Sequence, residues 1–517
     1  MSVRGGAKLF GGGGAGTPSF PLCILRALCA SVVSASDPYL TTESQRSQSG
    51  HGGKIRSGNR SRPATPAARE FEKAASRAIK VGTMATAEIE PQELGGGGGA
   101  FRSLAHRNFR LFWAGAFLSN TGTWMQTLAQ GWLMLLLTNS AFWLGFDGFV
   151  ATAPGLVLLL LGGVFADIFD RKRLLIVSQI VAGATALVLA VLIWTHVIQF
   201  TMILAASFVT GCCFALASPS YQAITIDLVG RRDLPNAIAL NSAQFQLSRV
   251  LGPTLAGVAF KFLGVAGCFF INGISYVAIV ASLLMVRIPK AGGAVGAADA
   301  AGSGAEVAVP RPAIDRRSVW RDIKGGFRYV MGRPRVLTLL SISAVTTLFG
   351  APYMTMMPLF ARDILKLDAS GLSILMGTAG AGSFCAAVLL ALLGNVPRKG
   401  WFVLGGSFMF GACVVGFALS RTLAPALVFL FLIGFGIVSS VAVINILIQQ
   451  LITDEMRGRV MSMFMLSFFG SFPIGNYAAG VAADRFGAPH TLAAGGVVTA
   501  LFVASVAVLN PRLRALD

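Results

Sequence analysis

Charge is what this 517-residue chain has least of: Asp, Glu, Lys and Arg together supply 12% of it, about half the share of an ordinary soluble domain. Acidic residues are the scarcer sign, 22 against 42 Lys plus Arg. Combined with a mean hydropathy of +0.70, this excludes a globule whose whole surface faces water. Histidine (4) and cysteine (7) are also few. The histidines are scattered, with no HExxH or CxxC spacing, so the sequence implies no metal site. Cys23 and Cys29 lie near the N-terminus, whereas Cys212, Cys213, Cys268, Cys385 and Cys413 fall inside apolar stretches. No even set shares one group of loops, which argues against a disulfide framework. There is no GxxxxGK[ST] phosphate loop and no nucleophile–base constellation, so neither ATP hydrolysis by that route nor another enzyme activity is indicated, and no cofactor is implied.

What is present is apolar length. Twelve stretches, at 112–137, 144–166, 174–194, 200–222, 236–260, 266–286, 337–358, 372–393, 401–420, 425–447, 459–482 and 490–509, each reach the span of a bilayer. Roughly 20 apolar residues at 1.5 Å rise cross the hydrocarbon, where only a helix or a closed barrel satisfies every backbone polar group. The basic residues between them alternate in density. Arg102, Arg107 and Arg110, then Arg171, Lys172 and Arg173, Arg231 and Arg232, a run from Arg287 to Arg335, Arg398 and Lys399, Arg457 and Arg459, and Arg512 and Arg514 fall in one set of segments. The other set carries Lys261, Arg362, Lys366, Arg421 and Arg485. By the positive-inside rule the first set is cytoplasmic, with both ends of the helical region inside a cell membrane. The net charge of +20 is then explained by short loops beside anionic headgroups, and no nucleic-acid partner is needed.

Residues 1–100 differ in kind. They are rich in Gly, Ser, Arg and Ala and close in the run Gly95 to Gly99, the composition of a disordered tail. Pro21 to Ala35 has a faint signal-peptide core that Arg26 interrupts, and a cleaved signal does not precede an inside-facing first helix. We expect Met84 to be the true start, since Met84 to Phe101 forms a short acidic-then-basic leader; an intact mass that includes residues 1–83 would sink that idea. Residues 287–335 divide the stretches six and six, as a cytoplasmic linker between an N-terminal bundle (101–286) and a C-terminal bundle (336–517). Ala291 to Pro310 reads as flexible linker. From Arg316 to Met331, Trp320, Phe327 and Val330 stand among basic residues, as in an amphipathic helix on the inner leaflet or a solvated basic connector.

The halves resemble one another. Gly211, Gly257-Val-Ala-Phe260 and Gly264 match Gly434, Gly480-Val-Ala-Ala483 and Gly487 at one constant offset. A parallel repeat of six helices is an architecture of secondary transporters, in which two bundles rock around a central site.

Between the second and third stretches stands Gly162-Gly-Val-Phe-Ala-Asp-Ile-Phe-Asp-Arg-Lys-Arg173. It resembles the cytoplasmic signature of the major facilitator superfamily, GxLaDrxGrkxxl, with Gly163, Asp167, Arg171 and Lys172 at motif positions, Phe165 in place of the Leu and Asp170 in place of the second Gly. A small Gly lets helices approach, and an Asp at the membrane edge can pair with Arg or a helix N-terminus in one conformation. The resemblance implies that these residues form a gate latch that stabilises the outward-facing state; a plain topogenic loop explains the basic run but not the Gly and Asp. Arg249-Val-Leu-Gly-Pro-Thr-Leu-Ala-Gly257 resembles the GPxxGG element of antiporters in this superfamily, with Gly252, Pro253 and Gly257 at motif positions and Ala256 replacing a Gly. Gly-Pro permits a bend or tight packing. The run LPNAIALNSAQFQLSRVLGPTLAG at 234–257 and the closing Leu509-Asn-Pro-Arg-Leu513 are similar to those of the enterobactin-type siderophore and macrolide exporters, over residues 101–517. The fold implied is all-α, twelve transmembrane helices in two six-helix bundles.

Polar residues inside the spans are the site candidates. Arg249 sits about 20 Å along its helix from Asn236, near the midplane, where burying it costs at least about 2.5 kcal/mol unless it meets a wet cavity or a partner. It is read as a cavity-side cation for a substrate anion or carbonyl, or as a structural pair. Asp147 is the one carboxylate well inside a span; it is a candidate proton carrier or a solvated residue at the outer mouth. Ser119, Thr123, Gln126 and Gln130 share a narrow arc of the first helix at 100° per residue, facing either a transport cavity or neighbouring helices. Asn241, Gln244 and Ser248, and Asn445 with Gln449, form further polar faces. The expected function is alternating-access export of a small amphipathic substrate, a siderophore or drug, coupled to protons and carried out by a monomer in the lipid bilayer. One charge crossing 100 mV supplies about 2.3 kcal/mol, roughly a 50-fold gradient. An importer or uniporter of the same fold, a channel, and a non-transporting sensor or scaffold are the alternatives.

Overall fold

A computed structural model describes residues 101–168, 170–286, 325–394 and 398–514; the expectations for the N-terminal tail, the Met84 start and Trp320 lie outside them. The described elements are helical. In chain order they are α1 (Arg107–Thr138), α2 (Ala141–Ile168), α3 (Arg171–Trp194) and α4 (Phe200–Gly230). The helix from Arg232 to Met285 is broken at Gly264, giving α5 (232–263) and α6 (265–285). Then follow α7 (Pro334–Ile364), α8 (Ala369–Leu393), α9 (Lys399–Leu419), α10 (Leu423–Leu451), α11 (457–486) and α12 (Ala488–Leu509). Among the described residues, eight helices are long and apolar enough to cross a membrane by length and composition, the Arg232–Met285 stretch counting as one. Large side chains such as Phe262, Leu392, Leu501 and Val508 are exposed, an apolar surface that suits hydrocarbon and would aggregate in water.

Local chemistry sets the ends. Asn139 adopts the left-handed conformation (φ 49°) that closes α1, one of the residues that tolerates it. Asp170, which looked like a departure from the loop signature, caps α3 by accepting the Arg173 backbone N–H at 2.8 Å, which satisfies an orphan donor of the first turn. Asp368 caps α8 in the same way through Gly371 N–H. Several helices outrun the sequence expectation: α4 continues through Asp227 to Gly230, and α7 reaches Ile364 through two π-helical stretches, Thr346–Gly350 and Phe360–Ile364.

The repeat detected in the sequence has a structural counterpart. Gly264 (φ 64°) and Gly487 (φ 83°) are the joints between α5 and α6 and between α11 and α12, in a region that side-chain-bearing residues rarely enter. Gly211 brings α4 against the Ala151 carbonyl of α2, and Gly434 brings α10 against the Ala379 carbonyl of α8. Two more pairs share the offset. Gly252 sets α5 on α1 at Trp124 and Gly475 sets α11 on α7 at Leu348, while Gly273 sets α6 on α3 and Gly496 sets α12 on α9. A glycine at each crossing lets backbones approach closely, the packing device of membrane helices. Gly252 and Pro253 keep helical dihedrals, and Gly252 packs tightly on α1.

Residues 325–331 form one helical turn and more. Val330 is buried with α7, α10 and α11 side chains, while Phe327 and Met331 are exposed.

Candidate functional site

The helices before residue 287 meet those after residue 325 along two glycine-lined crossings. At α2/α11, a Cβ added to Gly145 would lie 2.6 Å from Gly480 Cα and 2.5 Å from the Asn476 carbonyl oxygen. At α5/α8, a Cβ added to Gly380 would lie 2.6 Å from the Arg249 carbonyl oxygen, and Gly257 faces Ser373. The two crossings use equivalent glycines, Gly257 and Gly480, in swapped roles.

The hydrogen bonds described between the two halves run from the middle of the helices to the end with few arginines in its loops. At that end Arg362 of α7 donates to Asn139 Oδ1 at 2.6 Å and to the Leu135 carbonyl at 3.4 Å, and pairs with its neighbour Asp363 at 2.6 Å. Ser140 donates to Asp484 of α11 at 3.0 Å. Gly131 of α1 lies against Pro358 of α7, where an added Cβ would be 3.1 Å from the ring. This end is latched.

In the middle lies a small cavity, with room for about one water molecule, lined by Trp124, Arg249, Pro253, Tyr353, Met354, Met357, Met376 and Ala379. Four helices, α1, α5, α7 and α8, contribute to it. The Arg249 guanidinium stands 5.4 Å from the Trp124 ring centre, 3.4 Å from the Tyr353 hydroxyl and 3.8 Å from the Met354 sulfur.

A second polar centre lies wholly in the first half. Asp147 of α2 is 7% exposed, which corrects the solvated-mouth alternative: its carboxylate accepts hydrogen bonds from Ser207 of α4 and, at 2.9 Å, from Gln130 of α1. Gln130 also donates to Ser207 at 2.9 Å. Three helices thereby converge on one carboxylate.

The polar stripe of α1 is turned toward these same-half neighbours. Gln126 accepts from Asn272 of α6 at 2.6 Å, Thr123 meets the Tyr276 hydroxyl at 3.3 Å, and Ser119 is buried with its carbonyl accepting from Thr123. A polar arc fixes which residues share a face, not which helix the face will meet. On α5, Asn241 donates to Thr225 at 3.4 Å and Gln244 is buried with its amide nitrogen unpartnered, while Ser248 accepts from Thr121 of α1 at 3.2 Å. Asn445 and Gln449 bond each other on α10. Of the residues expected to line a cavity, the midplane cavity includes Arg249, joined by Pro253 from the antiporter-like element. At the other end Lys172 donates to the Val286 carbonyl at 2.8 Å and Arg171 stands 3.9 Å from Asp227; Gly163 and Asp167 are described as backbone within α2.

Sequence reasoning missed Trp124, Tyr353, Met354, Met357 and Met376. One signal was available: Tyr353 is among six tyrosines in the chain and stands in an apolar span between Pro352 and Pro358. The π-helical stretches on either side of it are a feature that recurs at functional sites.

Residues 98–517 match the family described as transmembrane secretion effector. The staphyloferrin A transporter of Staphylococcus aureus is 25% identical over 78% of this chain and 97% of its own length. Macrolide efflux protein A of Streptococcus pyogenes is 22% identical over 79% of this chain and 97% of its own. Among solved structures, a bacterial homologue of the human lysosomal transporter Spinster, in an inward-facing and unoccupied conformation, superposes with a TM-score of 0.58 at 12% identity, over 79% of this chain and 96% of that one.

Proposed function

The chain belongs to the transmembrane secretion effector family of the major facilitator superfamily, and we propose that it is a proton-coupled exporter of a small amphipathic molecule working by alternating access. It is an integral multi-pass membrane transporter and not an enzyme. In the proposal all twelve long helices span the bilayer, as two six-helix bundles (101–286 and 336–517) in one monomer. The arginine-rich loops face the cytoplasm, so the latched end faces out.

The observation that carries this reading is the midplane cavity lined from both halves and closed toward the arginine-poor end. We read this cavity as the transport site, and the held arginine-poor end as the outer gate closed, with further separation of the halves needed to load cargo from the cytoplasm. Asp147 serves as proton site: an ionisable group inside the membrane is costly unless used, and its three-helix cradle can report its protonation to α1, α2 and α4. Arg249 and Pro253 belong to the cargo site, while Gly163, Asp167, Arg171 and Lys172 gate the inner end and Gly252, Pro253 and Gly257 hold α5 on α1 and α8. The macrolide efflux relative favours outward transport, and the staphyloferrin A transporter and macrolide relatives favour similar cargo.

The test is efflux of a catecholate siderophore, a macrolide and an amphipathic cation from cells expressing the wild type, Asp147→Asn or Asp167→Ala, with and without a protonophore. Protonophore-sensitive efflux of one compound that either substitution abolishes supports the proposal. Efflux indifferent to the protonophore and to Asp147 removes proton coupling, and movement inward removes export.

A further inference from the structure

Arg249 carries its charge at the seam of the two halves with neutral partners: a tyrosine hydroxyl, a thioether and an indole face. Among the described residues no carboxylate lies within ion-pair distance of it, and Asp147 is engaged by Ser207 and Gln130. A guanidinium cannot shed its proton. In a low-dielectric seam, a permanently charged group held by weak acceptors is poised for an anion, which a planar fork binds with two parallel hydrogen bonds.

Resting on the transport reading above, we propose that Arg249 is the anion-recognition subsite of the transport path and that the cargo is a carboxylate-bearing amphipath, not a cation. The walls fit the rest of such a molecule. Trp124 and Tyr353 offer ring faces, and Met354, Met357 and Met376 offer flexible, polarisable contacts that adapt to varied apolar shapes. The cavity has room for about one water molecule, far below the ~300–1,000 Å³ of a site that encloses a drug-sized ligand. Cargo therefore reaches Arg249 only when α5 separates further from α8. Because α1 and α5 supply one wall and α7 and α8 the other, an anion bound to Arg249 replaces the Tyr353 contact across the seam and frees the halves to move.

The test uses two probes built on one xanthene ring system: fluorescein, which carries a carboxylate, and rhodamine 6G, a cationic ester. Binding to the full chain in nanodiscs is measured by fluorescence polarisation for wild type, Arg249→Lys and Arg249→Gln, with thermal melts confirming that each variant is folded. Wild type should prefer fluorescein; Arg249→Gln should weaken fluorescein by at least about tenfold, as for a lost charge-assisted bond, and leave rhodamine 6G unchanged or tighter, with Arg249→Lys between. Equal binding of fluorescein to wild type and Arg249→Gln, including none to either, overturns the proposal, as does a wild-type preference for rhodamine 6G. Flux of the probes in proteoliposomes is scored separately. Arg249-dependent binding without flux refutes the transporter reading and leaves the anion subsite standing, whereas flux indifferent to Arg249 does the reverse.

Discussion

Removing the Arg362 guanidinium should unlatch the closed end of the protein. In Arg362→Ala the bond to Asn139 Oδ1 at 2.6 Å and the longer one to the Leu135 carbonyl at 3.4 Å are lost together. A hydrogen bond from a charged group contributes about 1.5–3 kcal/mol when desolvated. The Arg362 side chain is 26% exposed, so solvent competes, and about 1–2 kcal/mol is the fitting range. At 1.4 kcal/mol per tenfold, the ratio of closed to open molecules falls by about 5–30-fold. Spin labels at Val197→Cys and Arg421→Cys, in exposed loops at this end of opposite halves, with native cysteines replaced, report the separation by double electron–electron resonance. Wild type should give mainly a short distance, and Arg362→Ala should gain a longer component, with Arg362→Lys between. An unchanged distance distribution in Arg362→Ala would refute the assignment of Arg362 as a latch and leave the Ser140–Asp484 hydrogen bond and the glycine crossings as the closure.

Four further outcomes follow from the same geometry. Gly145→Val places a side chain against the Gly480 and Asn476 backbone of α11, an overpacking cost of about 1–3 kcal/mol; it should lower the melting temperature or populate the longer spin-label distance, and neither change would mean α2 and α11 are not in tight contact. Gly264→Ala and Gly487→Ala force a side chain into the same positive-φ region, at about 1–3 kcal/mol each, so both should melt earlier by similar amounts; a neutral effect at either would break the structural repeat. Asp147→Asn keeps the shape of the Gln130–Ser207 cradle while removing its charge, so it should retain cargo exchange and lose pH-driven uphill transport; retained uphill transport would rule Asp147 out as proton site. In the first turn of α5, ahead of its apolar stretch, the His106 hydrogen bond, with help from Arg102 and Arg232, holds the Asp233 carboxyl below its ordinary value. The folded value being depressed, the tether of residues 101–106 should be intact above the ordinary carboxylate pKa of about 3.9 and released as pH falls through the lower folded value. Hydrogen exchange at residues 101–106 reads this, and protection independent of pH or of Asp233→Asn would contradict it.

Much of the architecture was legible because bilayer thickness acts directly on composition: a run of apolar residues between charged loops locates a helix whatever it packs against. Gly264 and Gly487 were legible as repeat markers because their backbone angles admit little else. Partnerships were not legible. The sequence put Ser119, Thr123, Gln126 and Gln130 on one face, yet the face meets Asp147 on α2, Ser207 on α4, and Asn272 and Tyr276 on α6. Such pairings depend on how helices rotate about their axes, which periodicity leaves open. Arg249 stood out by its cost, while its neighbours Met354, Met357 and Met376 are ordinary membrane residues until the seam gathers them. The Arg362 bond to Asn139 is of the same kind, since both residues read as plain loop polarity until two helix ends are brought together.

The most direct test of the central claim is proton movement driven by cargo. The purified chain, reconstituted in liposomes enclosing a pH-sensitive dye, is given a cargo gradient at equal pH on both sides, using the compound identified by cellular efflux. Proton-coupled export predicts that moving cargo in one direction drives protons in the other, and that an imposed pH gradient concentrates cargo, both effects vanishing in Asp147→Asn. Cargo that equilibrates without any proton flux, and that no pH gradient can concentrate, would contradict it.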